Sequence, residues 1–194
     1  MEAVGGTANK REAGDARMDD EPLTTAEWVH AALERYERPL MRYAARITGN
    51  IELARDVVQD TFLRLCEAEQ ANVDGHLAAW LYTVCRNRAL DVRRHEGRID
   101  SLQDKQVDSV RSGCPEPSAA VARNEAYALA LQALGTLPEN QQEAVRLKFQ
   151  DDMTYREISQ VMGVSLGTVS YLITTALGAL HDQLRGKEDL AQEV

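Results

Sequence analysis

The 194-residue chain is short of cations: 22 Lys and Arg stand against 31 Asp and Glu, a formal net charge of −9. A protein that grips DNA unaided usually carries a basic domain, so this balance argues against a self-sufficient DNA binder. It leaves room for one that a larger partner delivers. Cysteine is scarce too. Cys66, Cys85 and Cys114 form an odd set with no CxxC pair, which argues against a disulfide framework and a Cys-rich zinc site. Cys66 and Cys85 fall on apolar helix faces and read as small buried hydrophobes. Long hydrophobic runs are missing; the longest, such as Leu77 to Leu81, fall far short of the roughly 18–20 residues of a spanning helix, so no membrane insertion is expected. The opening stretch MEAVGGTANKREAGDARMDDEPL has no apolar core and does not read as a secretory signal, which makes the cytoplasm the expected compartment. The chain also lacks a Gly-rich nucleotide loop, a metal-spaced His/Cys/Asp cluster and a nucleophile–base pair. It is therefore expected to be no enzyme and to hold no cofactor and no metal. His30, His76, His95 and His181 are scattered and read as surface residues.

What is present is helical. Ala, Leu, Arg, Glu and Gln fill most segments, aromatics are only 5%, and no strand-like alternation occurs. Residues 1–23 are acidic and Gly/Ala-rich and read as a disordered tail. Thr24-Thr25-Ala26-Glu27 has the spacing of a capping box, followed by Trp28, Ala32, Leu33 and Tyr36 at helical spacing. Pro39 should kink or restart this helix, and Gly49 should stop it. Asn50 caps a second helix at about 51–68 with Leu53, Val57, Thr61 and Leu65 on one stripe. After a loop around Glu69–Gly75, a third helix spans about 76–95 and stops near Gly97. Residues 98–118, ending in SGCPEPS, read as a flexible linker. Helices follow near 119–134, 138–150, 155–162 and 166–185, with a tail from 187. Pro138 fits a first helical position and Thr154–Glu157 forms another capping box. The expected architecture is all-α: a helical domain over 24–97 and a second over 119–186 that contains a helix-turn-helix.

Three motifs carry the functional reading. Between Tyr155 and Leu172, small Ser159 allows two helices to cross closely, Gly163 permits the turn, and Ser165 caps the helix that would lead N-terminus first into a major groove. RNRALDVRRHEGR concentrates arginines directly after AAWLYTV, so phosphate-holding cations adjoin Trp80 and Tyr82, which can stack on unpaired bases. A solvated helix face with Trp80 in the core is the competing explanation. LARDVVQDTFLRL sets Asp56, Gln59, Asp60 and Arg64 on a polar face, which taken alone is an ordinary solvated surface.

In this order the three motifs resemble the extracytoplasmic-function (ECF) sigma factors of bacterial RNA polymerase, over about residues 27–97 and 120–185. NIELARDVVQDTFLRLCEAE is similar to the family's clamp-binding helix and AAWLYTVCRNRALDVRRH to its promoter-melting helix. LPENQQEAVRLKFQDDMTYREISQVMGVSLGTV is similar to its −35-reading domain. The resemblance implies that Asp56, Gln59, Asp60, Phe62 and Arg64 dock on core RNA polymerase. It implies that Trp80, Tyr82, Arg86, Asn87, Arg93 and Arg94 contact the −10 element. Arg156, Ser165, Thr168, Ser170 and Tyr171 would face the −35 duplex. Implied partners are core RNA polymerase, promoter DNA, and an anti-sigma factor or other regulatory protein.

One stretch departs from the family. Where its members commonly run Lys-Ser-Arg-Leu after Gly-Thr-Val, this chain reads Ser170-Tyr171-Leu172-Ile173-Thr174-Thr175. Each lost phosphate contact should lower the salt slope of binding by roughly one unit. The helix either reads the groove through hydroxyls, presents Tyr171, Leu172 and Thr175 to a protein, or belongs to a degenerate relative. The alternatives at the level of the whole chain are a stand-alone helix-turn-helix regulator and a sigma-like interaction protein. The charge balance adds one expectation: acidic tails and linker shield the Arg-rich surfaces until polymerase displaces them.

Overall fold

The computed structural model describes residues 24–73, 75–102 and 129–192, with side chains for 24–73, 75–97 and 129–185. The expected acidic tail, most of the expected linker, the first residues of the helix expected from 119, and Cys114 lie outside the described residues. Among the described residues there are helices and turns and no strand.

Helix α1 (Thr25–Thr48) opens with the expected capping box. The Thr24 Oγ1 accepts from the Glu27 N–H at 3.3 Å while the Thr24 N–H donates to Glu27 Oε2 at 2.9 Å. The helix closes at Gly49, whose φ of 70° only glycine adopts without strain. It runs unbroken through Pro39, where a kink or restart was expected. Proline removes one i→i−4 bond, and the buried stripe of Leu40, Tyr43 and Ala44 on the far side keeps the register. Helix α2 (Ile51–Glu67) starts on Asn50, whose side chain accepts from two backbone N–H groups. A single turn, α3 (Gln70–Val73), stands in the expected loop and buries Val73. Helix α4 (Leu77–Leu102) continues through Gly97, where a stop was expected. Gly97 is not among the glycines of positive φ, and a glycine in ordinary helical conformation weakens a helix without ending it.

Helices α1, α2 and α4 pack into a bundle around Trp28, Leu40, Val57, Leu65 and Leu81, all buried. Thr61 is buried among them and donates to the Val57 carbonyl at 2.8 Å, so no polar atom is stranded. Cys85 is buried as expected, and burial pushes its thiol up to about 12 against a smaller opposite pull from Thr61. Cys66 is exposed instead. It lies beyond the stripe that Leu65 closes.

The C-terminal part comprises α5 (129–135), α6 (Glu139–Phe149), α7 (Tyr155–Met162) and α8 (Leu166–Gln192). Pro138 sits at the N-cap of α6, one position before the expected one. Thr154 and Glu157 form the expected capping box on α7, and Gly163, at φ 67°, ends it. The chain turns through 104° from α7 into α8, within the range of helix-turn-helix pairs. Ser159 explains its place there: its hydroxyl donates to the Val164 carbonyl at 2.6 Å and ties the first helix to the turn.

The two parts are docked. Helix α7 packs on α4, and one apolar cluster runs from Tyr43, Tyr82 and Cys85 into Ala144, Leu147, Met153 and Ile158.

Candidate nucleic-acid and polymerase interface

Three surfaces hold the residues singled out from sequence. On α2, Asp56, Gln59 and Arg64 are exposed, while Phe62 is 7% exposed and belongs to the core. Asp60 is half-buried, and its carboxylate accepts from Arg88 Nε at 2.8 Å, tying α2 to α4. Beside this rim, α1 and α2 form an apolar groove of about 410 Å³ lined by Val29, Leu33, Met41, Val58, Phe62 and Leu63. Leu63 is 55% exposed. Sequence reasoning read Leu33 only as part of the apolar stripe of its helix and passed over Leu63; the available signal was that Leu63 is an apolar residue off the stripe of its helix.

On α4, Trp80 is half-buried against the core and Asn87 is exposed. Arg94 reaches back to its own helix, donating to Asp91 at 2.6 Å and to the Leu90 carbonyl at 3.3 Å. The remaining three face acidic residues of the C-terminal part. Tyr82 is 2% exposed and hydrogen-bonds with the Asp151 carboxylate. Arg86 donates through Nε and Nη2 to the two oxygens of Glu143 at 2.8 and 3.2 Å. Arg93 donates to Glu139 Oε2 at 3.3 Å.

Glu143 is the centre of this set, because the Tyr43 hydroxyl also donates to its Oε1 at 2.6 Å. Burial, then the Glu143 charge, holds the Tyr43 phenol well above its ordinary range. The hydrogen bonds that Arg86 donates to Glu143 raise its guanidinium further. Burial lifts the Asp151 carboxyl, with the Tyr82 hydrogen bond and the charges of Arg46 and Arg42 pulling it back. Around Glu143 a cleft of about 510 Å³ opens between the two parts, lined among others by Tyr43, Arg46, Arg86, Arg93 and Glu139. Neither Tyr43 nor Glu143 had a sequence signal. The tyrosine sits on a core stripe and the glutamate in a polar run, and only docking joins them.

On α8 the first turn is exposed, with Arg156 exposed on α7 nearby in sequence. Ser165 accepts from the Thr168 N–H at 3.1 Å, and the two hydroxyls lie 2.8 Å apart, so each already has one partner and acts first as a cap. Ser170 is exposed and Tyr171 is 67% exposed. Val169, Leu172, Ile173 and Ala176 supply the buried face that the sequence leads one to expect. From Gly163 to Leu180 there is no charged residue. Among the described residues there is no group of His, Cys, Asp and Glu that suits a metal ion, and no single helix long and apolar enough to cross a membrane. All four histidines are exposed.

Residues 32–99 match Sigma-70 region 2, and residues 127–180 match Sigma-70, region 4. The ECF RNA polymerase sigma factor SigL of Mycobacterium tuberculosis is 31% identical over 174 residues, covering 86% of this chain and 94% of the relative. The chain is an ECF sigma factor. The ECF RNA polymerase sigma factor SigE of Mycolicibacterium smegmatis is also 31% identical, over 81% of this chain, which spans 61% of that longer relative. Among solved structures, the fold is that of the sigma factor RpoE of Bartonella quintana, solved with the anti-sigma factor NepR. It has a TM-score of 0.64 and 23% identity over 80% of this chain and 96% of that one. CnrH, solved with the cytosolic domain of CnrY, has a TM-score of 0.54 and 22% identity over 81% and 88%. An ECF sigma factor directs polymerase to promoters, and this chain shares that role.

Proposed function

We propose that this sigma factor divides its work between its two parts as the three surfaces suggest. The α1–α2 groove with its rim of Asp56, Gln59 and Arg64 seats on core polymerase, Asp60 and Phe62 holding that surface in shape. Helix α4 contacts the −10 element as it melts, Trp80 and Tyr82 offering rings to unpaired bases and Arg86, Asn87, Arg93 and Arg94 offering donors to phosphates. Helix α8 enters the major groove of the −35 element, with Arg156 on the flanking backbone and Thr168, Ser170 and Tyr171 toward the bases. Ser165 contributes mainly as the cap that aims this helix. A regulatory protein of the anti-sigma kind belongs to the reading as a further partner, through family membership. The chain works on this reading without catalysis of its own, inside the cell beside polymerase.

The observation that carries it is the free first turn of α8. Among the residues of that helix whose side chains are described, the buried ones lie on the Val169–Ile173–Ala176 side, so the opposite side and the helix N-terminus, with its partial positive charge, are open to DNA. Run-off transcription with core polymerase on a promoter library is the test. The wild-type chain should yield a defined promoter set, and Thr168→Ala should lower transcripts from that set by about tenfold, the worth of one base contact of 1–3 kcal/mol, while sparing unrelated promoters. An equal loss on every promoter counts against groove reading. It would favour the second reading, in which exposed Leu166, Tyr171 and Leu177 on the uncharged helix meet a protein instead.

A further inference from the structure

Helix α8 buries Val169, Leu172, Ile173 and Ala176, which at about 100° per residue point in one direction. The line diametrically opposite runs through Gly167, Tyr171, Thr174 and Gly178. Tyr171, 67% exposed, is the long side chain on that line. Gly167 lies one turn ahead of it. Around the place a Cβ would take there, the nearest atom is the Ser165 hydroxyl oxygen at 3.7 Å. The backbone is therefore bare in front of the tyrosine, and a duplex can approach it closely.

The chemistry of this face limits what it can tell apart. The major groove marks guanine by two acceptors, which Arg or Lys reads with two bonds. It marks adenine by an acceptor and a donor, which Asn or Gln reads, and cytosine by a donor, which Asp or Glu reads. From Gly163 to Leu180 none of these six residue types occurs. The hydroxyls discriminate poorly, since Ser and Thr pair with either kind of group, and the Thr168 hydroxyl already lies 2.8 Å from that of Ser165. One mark remains, the C5 methyl group of thymine, which apolar contact recognises. Apolar carbon is what the face offers, in the Tyr171 ring at its centre and in Leu166, 54% exposed, at its edge. A tyrosine makes such a contact at small entropic cost, because only two torsions have to be fixed.

We propose that Tyr171 is the specificity-determining residue of the −35 contact, its ring packing on the 5-methyl group of a thymine. This rests on the function proposed above and names the base and the atom that are read. Reading a methyl group needs no cation, so the missing basic residues reduce phosphate affinity and leave base choice intact.

The test uses holoenzyme and a promoter selected from a library by run-off transcription, with deoxyuridine replacing each −35 thymine of either strand in turn. Deoxyuridine pairs as thymidine does and lacks only the methyl group. At one position or more it should weaken holoenzyme–promoter binding by about fourfold, the worth of one buried methyl or methylene carbon. Tyr171→Ala should lose a similar factor on the thymine promoter and then ignore deoxyuridine at that position, whereas Tyr171→Phe should keep the sensitivity. Such non-additivity is the signature of ring and methyl in contact. The proposal is overturned by a −35 element made only of G·C pairs, by deoxyuridine without effect at every position, or by Tyr171→Ala holoenzyme as sensitive to it as wild type. If replacing the entire −35 element leaves transcription unchanged, or core polymerase ignores the chain, groove reading itself fails and takes this inference with it. If that replacement matters and the methyl groups do not, groove reading stands and the thymine contact alone falls. The deoxyuridine series on wild-type holoenzyme decides even where a variant fails to fold.

Discussion

Asp151 shows how a single residue can serve arrangement at the expense of stability. Its carboxyl is lifted by burial, and the Tyr82 hydrogen bond with Arg46 and Arg42 offsets this only in part. An acid whose pKa is higher in the folded state binds its proton more readily there than in the unfolded chain. Stability is therefore lost as pH rises from the ordinary carboxylate value through the raised one, and regained on acidification. Asp151→Asn should accordingly melt higher than wild type at pH 7. The gap should narrow as pH falls toward 4, measured as paired thermal melts that cancel the other carboxylates. A gap constant across that range would show that Asp151 is as well solvated folded as unfolded. Glu143 differs in kind, since its two oxygens have three donor atoms in place. A carboxylate so bonded is held by what would be left unpaired without it.

The elements repeat this contrast between local and distant causes. Both Thr-x-x-Glu boxes and the Gly49 and Gly163 stops appear where the sequence places them, because a cap is satisfied within four residues. Pro39 and Gly97 do not interrupt their helices, because packing further along outweighs one lost bond or one flexible residue. Helix α8 presents the functional question at this scale: it is proposed to read DNA yet has no cation from Gly163 to Leu180. Ser170 is exposed on it, so Ser170→Lys adds one charge without touching the core. If α8 lies in the groove, the salt dependence of holoenzyme–promoter affinity should steepen by about one unit, as for one added phosphate contact. An unchanged slope would place that face against something other than DNA.

At the scale of the molecule, the apolar cluster that spans both parts couples their stabilities. The free factor should unfold in one calorimetric transition whose measured and van't Hoff enthalpies agree. Adding the Glu139→Gln and Glu143→Gln pair should split or broaden that transition, since the parts would then melt with less support from each other. Two separate transitions in the wild type would mean that docking contributes little to either part. The −9 charge gains a structural meaning here as well. The acids that matter to the arginines of α4 are on another folded surface, where position fixes their effect, and not only in the segments of biased composition.

The amino-acid sequence by itself determined the helices, their caps, the helix-turn-helix and the family, since each of these is written in periodicity and in residues a few positions apart. The free edge of α8 follows from the same spacing. The tertiary structure alone decided that Tyr43 and Arg86 meet Glu143, that Tyr82 is covered, and that Leu33 and Leu63 share a groove. These contacts join residues up to 100 positions apart, and no local pattern encodes them. They depend on which apolar faces bury each other when the two bundles dock.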